Sequence, residues 1–166
     1  MKGIYTDENA CMGCRLCEVY CQVEHSPSRD ILRAFRQERS HLTPRIRIQQ
    51  TADSFVAVQC RHCSEPWCVY ACLTGALSKD PASGIVTVDS AKCVGCWTCV
   101  MACPFGAITP NFAEGVITKC DLCPEREVPA CVAGCPNKAI LFTDDTKEPE
   151  RDLVAVGTEE SMQEGW

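Results

Sequence analysis

The chain reads Cys93-Val-Gly-Cys96-Trp-Thr-Cys99-Val-Met-Ala-Cys103-Pro104 just past its midpoint, which gives the spacing C-x2-C-x2-C-x3-C-P. This spacing is typical of bacterial [4Fe–4S] sites, in which cysteine thiolates bind the iron. In chains with two such clusters, the last cysteine of the motif binds the neighbouring cluster instead of its own. The motif therefore predicts that a partner motif lies elsewhere in the sequence.

Three further motifs contain the other cysteines, so the motif quoted above is the third of four. The first spans 11–21 with the same x2, x2, x3 spacing, the second spans 60–72 with x2, x4, x3, and the fourth spans 120–135 with x2, x7, x3. We predict that all 16 cysteines are iron ligands of four [4Fe–4S] clusters. They are Cys11, Cys14, Cys17, Cys21, Cys60, Cys63, Cys68, Cys72, Cys93, Cys96, Cys99, Cys103, Cys120, Cys123, Cys131 and Cys135.

Two other uses of cysteine fit this sequence less well. A disulfide scaffold is typical of secreted chains, but the first eight residues carry no apolar export segment, and four cysteines fall within 11–21. Clustered cysteines of this kind favour a metal site. Structural zinc prefers two separated C-x2-C pairs, into which an x2-x2-x3 motif is hard to divide. The second and fourth motifs, taken alone, would be more ambiguous.

Charge and composition narrow the class of protein. The net charge of −6 argues against bulk affinity for nucleic acid. No apolar run approaches the roughly 18 residues needed to cross a bilayer, so direct membrane insertion is not expected. Without an export signal, the expected compartment is the cytoplasm. We see no phosphate-binding loop, dinucleotide fingerprint or Ser/His/Asp arrangement, so we expect this chain not to be an enzyme by itself.

Short strand and helix patterns surround the motifs. Alternation at 45–48 and an apolar run at 54–58 predict a β-hairpin with its turn near 50–53. A helix is expected to open between Cys17 and Cys21, because these residues have i,i+4 spacing. Further strands are expected at 3–5, 85–88 and 115–118.

A short phrase recurs after three of the motifs, as Thr74-Gly-Ala-Leu77, Phe105-Gly-Ala-Ile108 and Asn137-Lys-Ala-Ile140. Each copy leads from a Cys-x3-Cys turn into an apolar residue. Such a repeat predicts stacked copies of one supersecondary unit. The first motif lacks the phrase, because Cys21 leads instead into a long segment without cysteine.

The segment after Cys21 is rich in arginine over 29–47. It has three open interpretations, as a solvated face, as a dock for an acidic partner or as a nucleic-acid site, because a charge patch alone is weak evidence. A short helix or an ordered loop is expected near 27–39. If it is a helix, Ile31, Leu32 and Phe35 would form its apolar face.

Several large side chains lie within or beside the motifs. His62 stands between Cys60 and Cys63 and could replace a ligand, but with a full set of thiolates we expect it to face solvent. The aromatic side chains are expected to pack over inorganic sulfide and to exclude water. They are Trp67, Trp97, Tyr20 and Tyr70.

The order of the four spacings over 11–135 resembles that of the four-cluster iron–sulfur subunits of dimethyl-sulfoxide-reductase-type enzymes. It is more similar to soluble relatives of that family. These include the ferredoxin-like subunit associated with carbon monoxide dehydrogenase and the small subunit of multi-subunit tungsten aldehyde oxidoreductase. Electron-transfer subunits of hydrogenases and formate dehydrogenases belong to the same group. Many family members replace one cysteine ligand, whereas this chain keeps every cysteine.

The resemblance implies a nested pairing of motifs, second with third and first with fourth. Each motif would give three ligands to one cluster and its last cysteine to the cluster of its partner motif. We name each set after the motif that supplies three of its ligands. The first-motif set is Cys11, Cys14, Cys17 and Cys135, and the second-motif set is Cys60, Cys63, Cys68 and Cys103. The third-motif set is Cys93, Cys96, Cys99 and Cys72, and the fourth-motif set is Cys120, Cys123, Cys131 and Cys21.

The fold implied by the resemblance is α+β, with two fused bacterial-ferredoxin-like modules related by a pseudo-twofold, nested pairing of motifs. Residues 1–22 and 113–142 would form an outer module, and residues 55–112 an inner module. Residues 23–54 would be an insert that carries the β-hairpin, and residues 143–166 a polar, mainly acidic C-terminal tail.

The function implied is that of an electron-transfer subunit, which relays single electrons through four [4Fe–4S] clusters. One partner would be a catalytic oxidoreductase subunit of the tungsten or molybdenum aldehyde oxidoreductase type or of the carbon monoxide dehydrogenase type. The other would be a subunit that binds flavin and NAD, a ferredoxin or a second copy of this chain. A freely diffusing polyferredoxin and a regulatory or nucleic-acid protein with structural clusters are the alternatives. The insert and tail favour a subunit, because a free carrier needs neither.

Overall fold

The computed structural model describes residues 2–39 and 42–144, and in these ranges the chain forms short helices and short strands. The helices are α1 (Leu16–Glu24), α2 (Ile31–Gln37), α3 (Trp67–Tyr70), α4 (Thr98–Ala102) and α5 (Ala130–Ala133). The strands are β1 (Lys2–Thr6), β2 (Ile46–Gln50), β3 (Phe55–Gln59), β4 (Leu77–Lys79), β5 (Val86–Val88), β6 (Thr109–Asn111), β7 (Val116–Thr118) and β8 (Ile140–Asp144). None of the helices in these ranges has the length and apolar character that a membrane crossing requires.

The strands form four separate two-stranded antiparallel sheets. β1 pairs with β8, with Ile4 opposite Phe142, so the two ends of the described chain lie side by side. β2 pairs with β3, β4 with β5, and β6 with β7. Since α1 also packs against α5, the first and fourth motifs are brought together although about a hundred residues separate them.

The predicted hairpin near 45–58 is confirmed, with Ile46 opposite Gln59. It packs against β1, because the Gln59 side chain donates a hydrogen bond to the Ile4 carbonyl oxygen at 2.6 Å. It also packs against α1, because the Ile48 N–H donates to the Glu18 carboxylate at 2.6 Å. The hairpin therefore covers the helix that contains Cys17 and Cys21.

Two groups of buried side chains form the core. The first group includes Ile4, Ile46, Ile48 and Ile140 together with cysteines of the first and fourth motifs. The second is formed by Leu77, Val86, Cys99, Ile108 and Ile117, with cysteines of the second and third motifs packed around it. Cysteine is thus part of both cores, as expected for a chain with a modest apolar content.

The repeated phrase adopts the same turn each time. Its second residue lies in the left-handed region, with φ of 66° at Gly75, 58° at Gly106 and 52° at Lys138. The N–H of that residue donates to the carbonyl oxygen of the last cysteine of the motif, at 3.4, 3.2 and 3.2 Å. The turn then delivers a buried Ala and a buried Leu or Ile to the core, which confirms the predicted structural repeat.

Two expectations about the segments outside the motifs were wrong in part. Helix α2 forms and is capped by Asp30, whose carboxylate accepts from the Arg33 N–H at 2.9 Å. Its buried residue is Ala34, whereas Ile31 and Leu32 are 49% and 62% exposed. The small side chain of Ala34 therefore faces inward, while Phe35 is only partly buried. The expected tail starts later than residue 143, because β8 extends to Asp144 to pair with β1. Residues 145–166 lie outside the described ranges.

Candidate metal centres

All sixteen cysteines lie in the described ranges, and every one of them is free of disulfide bonds. Two small cavities are each lined by four of these cysteines. The first cavity is lined by Cys11, Cys14, Cys17 and Cys135. The second is lined by Cys60, Cys63, Cys68 and Cys103. In both cavities, three cysteines come from one motif and the fourth is the last cysteine of another.

The cysteines of the third-motif set are also neighbours. Burial, together with the nearby Cys72, Cys93 and Cys96, raises the pKa of the Cys99 thiol to about 11. Cys72 belongs to the second motif, so this set too is completed from another motif. Cys96 is exposed, and a hydrogen bond from the Thr98 hydroxyl to its sulfur, at 3.5 Å, lowers its pKa.

The cysteines of the fourth-motif set are buried together. Burial raises the pKa of Cys131, and the nearby Cys120, Cys21 and Cys123 add to that rise. Cys17 of the first-motif set makes a smaller contribution of the same sign, so the two sets are adjacent. A buried thiol is costly to ionise without an opposite charge, and iron supplies that charge to a thiolate ligand.

The four loops between the first two cysteines of each motif share one backbone feature. In each loop, the second of the two intervening residues lies in the left-handed region. These residues are Gly13, His62, Gly95 and Leu122, with φ of 69°, 47°, 63° and 64°. At two of them the backbone N–H hydrogen-bonds the first cysteine of the motif, from His62 to Cys60 and from Leu122 to Cys120. The loops therefore turn their amides toward the sulfur atoms, where they would stabilise thiolates.

Two of these left-handed positions leave no room for a side chain. A Cβ atom on Gly13 would lie 2.6 Å from the Phe55 ring. A Cβ atom on Gly95 would lie 2.4 Å from the Gly115 carbonyl oxygen. The glycines of the first and third motifs are therefore required by close packing as well as by φ.

Other backbone amides approach cysteines that cross between motifs. The Arg45 N–H donates to the Cys21 sulfur at 3.3 Å. The Ala139 N–H donates to the Cys135 sulfur at 3.2 Å. Hydrogen bonds to sulfur are one of the means by which proteins set cluster potentials. The segment around Arg45 thus contributes directly to the surroundings of a candidate ligand.

A polar network surrounds Cys21 on the side of the fourth motif. The Asp121 carboxylate is bound by the Arg45 guanidinium and lies 3.2 Å from the His25 Nε2 atom. Burial alone would lower the pKa of His25. The hydrogen bonds that His25 makes with Asp121 and with Cys21 outweigh burial and raise that pKa to about 9. Burial would raise the pKa of Asp121, but His25 and Arg45 hold it below its usual range. At neutral pH the network therefore holds two positive charges, on His25 and Arg45, and one negative charge, on Asp121.

The same network brings one further group of possible metal ligands together. The ligand atoms of His25, Asp121 and Cys123 lie within 4.8 Å of one another. Asp121 is already engaged by Arg45, and Cys123 belongs to the fourth-motif set. The group therefore serves to hold the loop of the fourth motif against α1. No sequence pattern predicted this group, because 96 residues separate His25 from Asp121.

Three expectations about side chains near the motifs were wrong. His62 does not face solvent but is 1% exposed, and its Nδ1 atom accepts from the Val86 N–H at 3.0 Å. Burial, aided by the charge of Lys119, lowers the pKa of His62 to about 3, so the ring is neutral. Trp67 and Tyr70 contact each other edge to face but are 58% and 66% exposed, so packing over sulfide does not bury them.

The two remaining aromatic side chains behave differently from each other. Tyr20 is 42% exposed, and its ring lies against Gly134, where a Cβ atom would come within 2.1 Å. Trp97 is half-buried and packs edge to face on Phe112, with ring centroids 5.3 Å apart. Trp97 therefore shields its motif better than the other three aromatic residues shield theirs.

The arginine-rich segment makes internal contacts that none of its three interpretations anticipated. The Arg29 guanidinium binds the Glu125 carboxylate at 2.5 Å, and the Arg47 guanidinium donates to the Gly106 carbonyl oxygen at 2.5 Å. With Arg45, these side chains tie the segment to the third and fourth motifs. Part of the positive charge thus holds the protein together instead of facing a partner.

The residues of each candidate centre suit an iron–sulfur group. Each set offers four sulfur donors, and the walls of the two cavities are mainly apolar, with Ile48 and Ile140 in the first and Val86 and Ile108 in the second. Apolar walls exclude water, and amide groups directed at sulfur stabilise negative charge.

Comparison with known proteins gives a family and several relatives. Residues 51–145 match the family described as "4Fe-4S dicluster domain". The chain is 36% identical over 160 residues to "Electron transport protein HydN" of Escherichia coli (strain K12), an alignment that covers 87% of this chain and 89% of that protein. It is 38% identical over 147 residues to "Thiosulfate reductase electron transfer subunit PhsB" of Salmonella typhi, covering 82% and 72%.

A search of solved structures finds a chain from the "Active site complex BamBC of Benzoyl Coenzyme A reductase as isolated", with a TM-score of 0.46 and 23% identity. That match covers 86% of this chain and 76% of the other. The family match spans more than half of the sequence, and the two relatives are similar over most of it. The chain belongs to the 4Fe-4S dicluster family of ferredoxin-like electron-transport proteins.

Proposed function

We propose that this chain is an electron-transfer subunit of an oxidoreductase complex and has no catalytic site of its own. The observation that carries the proposal is the convergence of four cysteines at each of four places, always with one cysteine from another motif. Relatives named as an electron transport protein and as an electron transfer subunit support it. The sixteen cysteines suffice for four [4Fe–4S] clusters.

We assign one cluster to each of the four sets defined above, with all sixteen cysteines as ligands. A bound [4Fe–4S] cluster supplies one-electron oxidation and reduction at its set. The residues of the chain hold the sulfur ligands, exclude water with apolar walls and direct backbone N–H groups at sulfur. No group in this assignment has to bind a substrate, which agrees with a role in electron transfer alone.

The division into modules is part of the same proposal. The pairing of β1 with β8 and the packing of α1 on α5 support an outer module built from the two ends of the chain. The second core group supports an inner module around the second and third motifs. The insert of residues 23–54 and the acidic tail, which begins after β8, would contact other subunits.

Exposure differs among the sets and bears on where electrons enter and leave. Cys14 and Cys96 are the exposed cysteines, and they belong to the first-motif and third-motif sets. Cys120, Cys123 and Cys131 of the fourth motif are buried. We infer that partners meet the chain near Cys14 and near Cys96, because electron transfer between proteins needs close approach of the two centres.

We propose that one partner is a catalytic subunit of the tungsten or molybdenum aldehyde oxidoreductase type or of the carbon monoxide dehydrogenase type. The other is a subunit that binds flavin and NAD, a ferredoxin or a second copy of the chain, and the complex acts in the cytoplasm without nucleic acid. The family resemblance over the four motifs supports these partners. A freely diffusing polyferredoxin is the second candidate, and the exposed Cys14 and Cys96 suit it equally.

Purification of the tagged chain from its own host, anaerobically and at its native level, tests the choice between these functions. We expect a larger catalytic protein to co-purify in fixed ratio, with tungsten or molybdenum and with flavin. Nickel in place of those metals would indicate the carbon monoxide dehydrogenase type. Recovery of the chain alone with a full complement of iron would contradict the subunit proposal and favour the free carrier. Recovery without iron would contradict both.

A further inference from the structure

Lys119 is a buried cation that the sequence patterns did not single out. It follows β7, directly precedes Cys120 and is only 3% exposed. Its ammonium group donates hydrogen bonds to the carbonyl oxygens of Val86 and of Cys120, the latter at 2.8 Å. Both acceptors are neutral, and in the described ranges no carboxylate forms an ion pair with Lys119.

The place of Lys119 is between the two halves of the core. Val86 belongs to the second core group, whereas Cys120 belongs to the first. Val86, which accepts one of its hydrogen bonds, also lines the cavity of the second-motif set. One ammonium group is thus close to cysteines of the second-motif and fourth-motif sets.

Burying an ammonium group without an opposite charge is unfavourable, because the group loses its hydration without gaining a partner charge. The carboxylate next to it in sequence, Asp121, is bound by Arg45 and lies within reach of His25. Asp121 is therefore not free to neutralise Lys119. The candidate for the missing charge is the pair of cysteine sets, because four thiolates outweigh the positive charge of one cluster core.

We propose that Lys119 is the shared counter-charge of the second-motif and fourth-motif sets and that it favours uptake of an electron at both. The inference rests on the proposed function, because it requires bound clusters. When either set receives one electron from a reductant, one negative charge is added there, and the nearby ammonium charge stabilises it. Lys119 acts through its charge on the two cysteine sets and is therefore a positioning residue, not a catalytic one.

A purely structural role is the competing explanation, since the two hydrogen bonds also join β5 to the fourth motif. Lys119→Gln separates the two roles. The glutamine amide can still donate to a carbonyl oxygen, but it carries no charge. The matched control is Lys92→Gln, which also removes one lysine charge beside a motif. Lys92 is 63% exposed and is paired with Asp89, so water screens its charge.

The test is a redox titration of the anaerobically purified holoprotein, followed by electron paramagnetic resonance, with dithionite as the reductant. In Lys119→Gln we expect two of the four midpoints to shift to lower potential. The expected shift is about tenfold in the ratio of reduced to oxidised cluster at fixed potential, or about 59 mV for a one-electron couple. The other two midpoints, and all four in Lys92→Gln, should stay near those of the wild type.

Unchanged midpoints in a fully loaded Lys119→Gln protein would overturn the inference and leave the proposed function standing. A wild-type protein without iron would instead overturn the proposed function. If Lys119→Gln fails to retain iron, Lys119→Arg decides the matter. Wild-type iron content in the arginine variant supports a requirement for charge. Loss of iron in both variants contradicts a requirement for charge, because the site would then depend on the shape of the lysine side chain.

Discussion

Replacing Cys21 with alanine is expected to disturb the cluster held by the fourth motif and to leave the cluster of the first motif largely intact. Cys21 lies in the first motif, so ligation within motifs would predict the opposite. Cys21 lies near thiols of the fourth motif, because burial raises the pKa of Cys120, Cys123 and Cys131 and Cys21 adds to that rise. The Arg45 N–H that bonds its sulfur would lose its acceptor.

The matched variant is Cys17→Ala, one helical turn away in the same motif. Cys17 is a neighbour of Cys14 and Cys135, so its loss should disturb the first-motif set. Low-temperature electron paramagnetic resonance of the two reduced proteins should therefore lose different signals, each about a quarter of the total. Loss of the same signal from both variants would contradict the crossed assignment.

Replacing Gly95 with alanine is expected to prevent loading of the third-motif set, whereas the same change at Gly106 should be tolerated. Both glycines are left-handed, with φ of 63° and 58°, so alanine is strained at either by roughly 1–2 kcal/mol. The two positions differ in the room that is available for a Cβ atom. The new Cβ atom at Gly95 would meet the Gly115 carbonyl oxygen at 2.4 Å, while nothing lies within 4 Å of the one at Gly106.

Because the obstacle at Gly95 is backbone, relief requires the loop between Cys93 and Cys96 to move away from β7. We expect Gly95→Ala to lose about a quarter of the iron and to unfold at a clearly lower temperature in anaerobic thermal melts. Gly106→Ala should keep its iron and show only the smaller loss of stability caused by its backbone angle. Equal behaviour of the two variants would mean that the close contact does not matter.

The spacing of the cysteines predicted much of the local structure. A Cys-x2-Cys loop followed by Cys-x3-Cys fixes a turn and the start of a helix, so the start of α1 could be predicted near Cys17. The hairpin formed by β2 and β3 followed from alternation of apolar and polar residues. These features depend on contacts between residues close in sequence, which a pattern can report.

The surroundings of the sets could not be predicted in the same way. His62 was expected to face solvent because the motif already has a full set of thiolates, yet its ring accepts a hydrogen bond from the Val86 N–H, 24 residues away. Lys119 looks like an ordinary charged residue before a motif, and its burial depends on how β5 meets the fourth motif. The partners of His25 and Arg45 are likewise set by packing between distant segments.

The pairing of motifs came from the family resemblance, and no spacing within a single motif specifies it. The structure brings together the strands at the two ends of the chain, β1 and β8, and with them the first and fourth motifs. Long-range pairing of this kind reflects the sum of many contacts across the core. Crossed ligation by sixteen cysteines also requires that four clusters are present, which a direct chemical count can test.

That count is a determination of iron, acid-labile sulfide and reducing equivalents on one anaerobic preparation of the chain. Four [4Fe–4S] clusters require about 16 iron and 16 sulfide per chain, and reductive titration should consume up to four electrons, one for each set. Zinc in place of iron, or an iron content near eight with half of the cysteines free to react with a thiol reagent, would contradict the assignment of four clusters to sixteen cysteines.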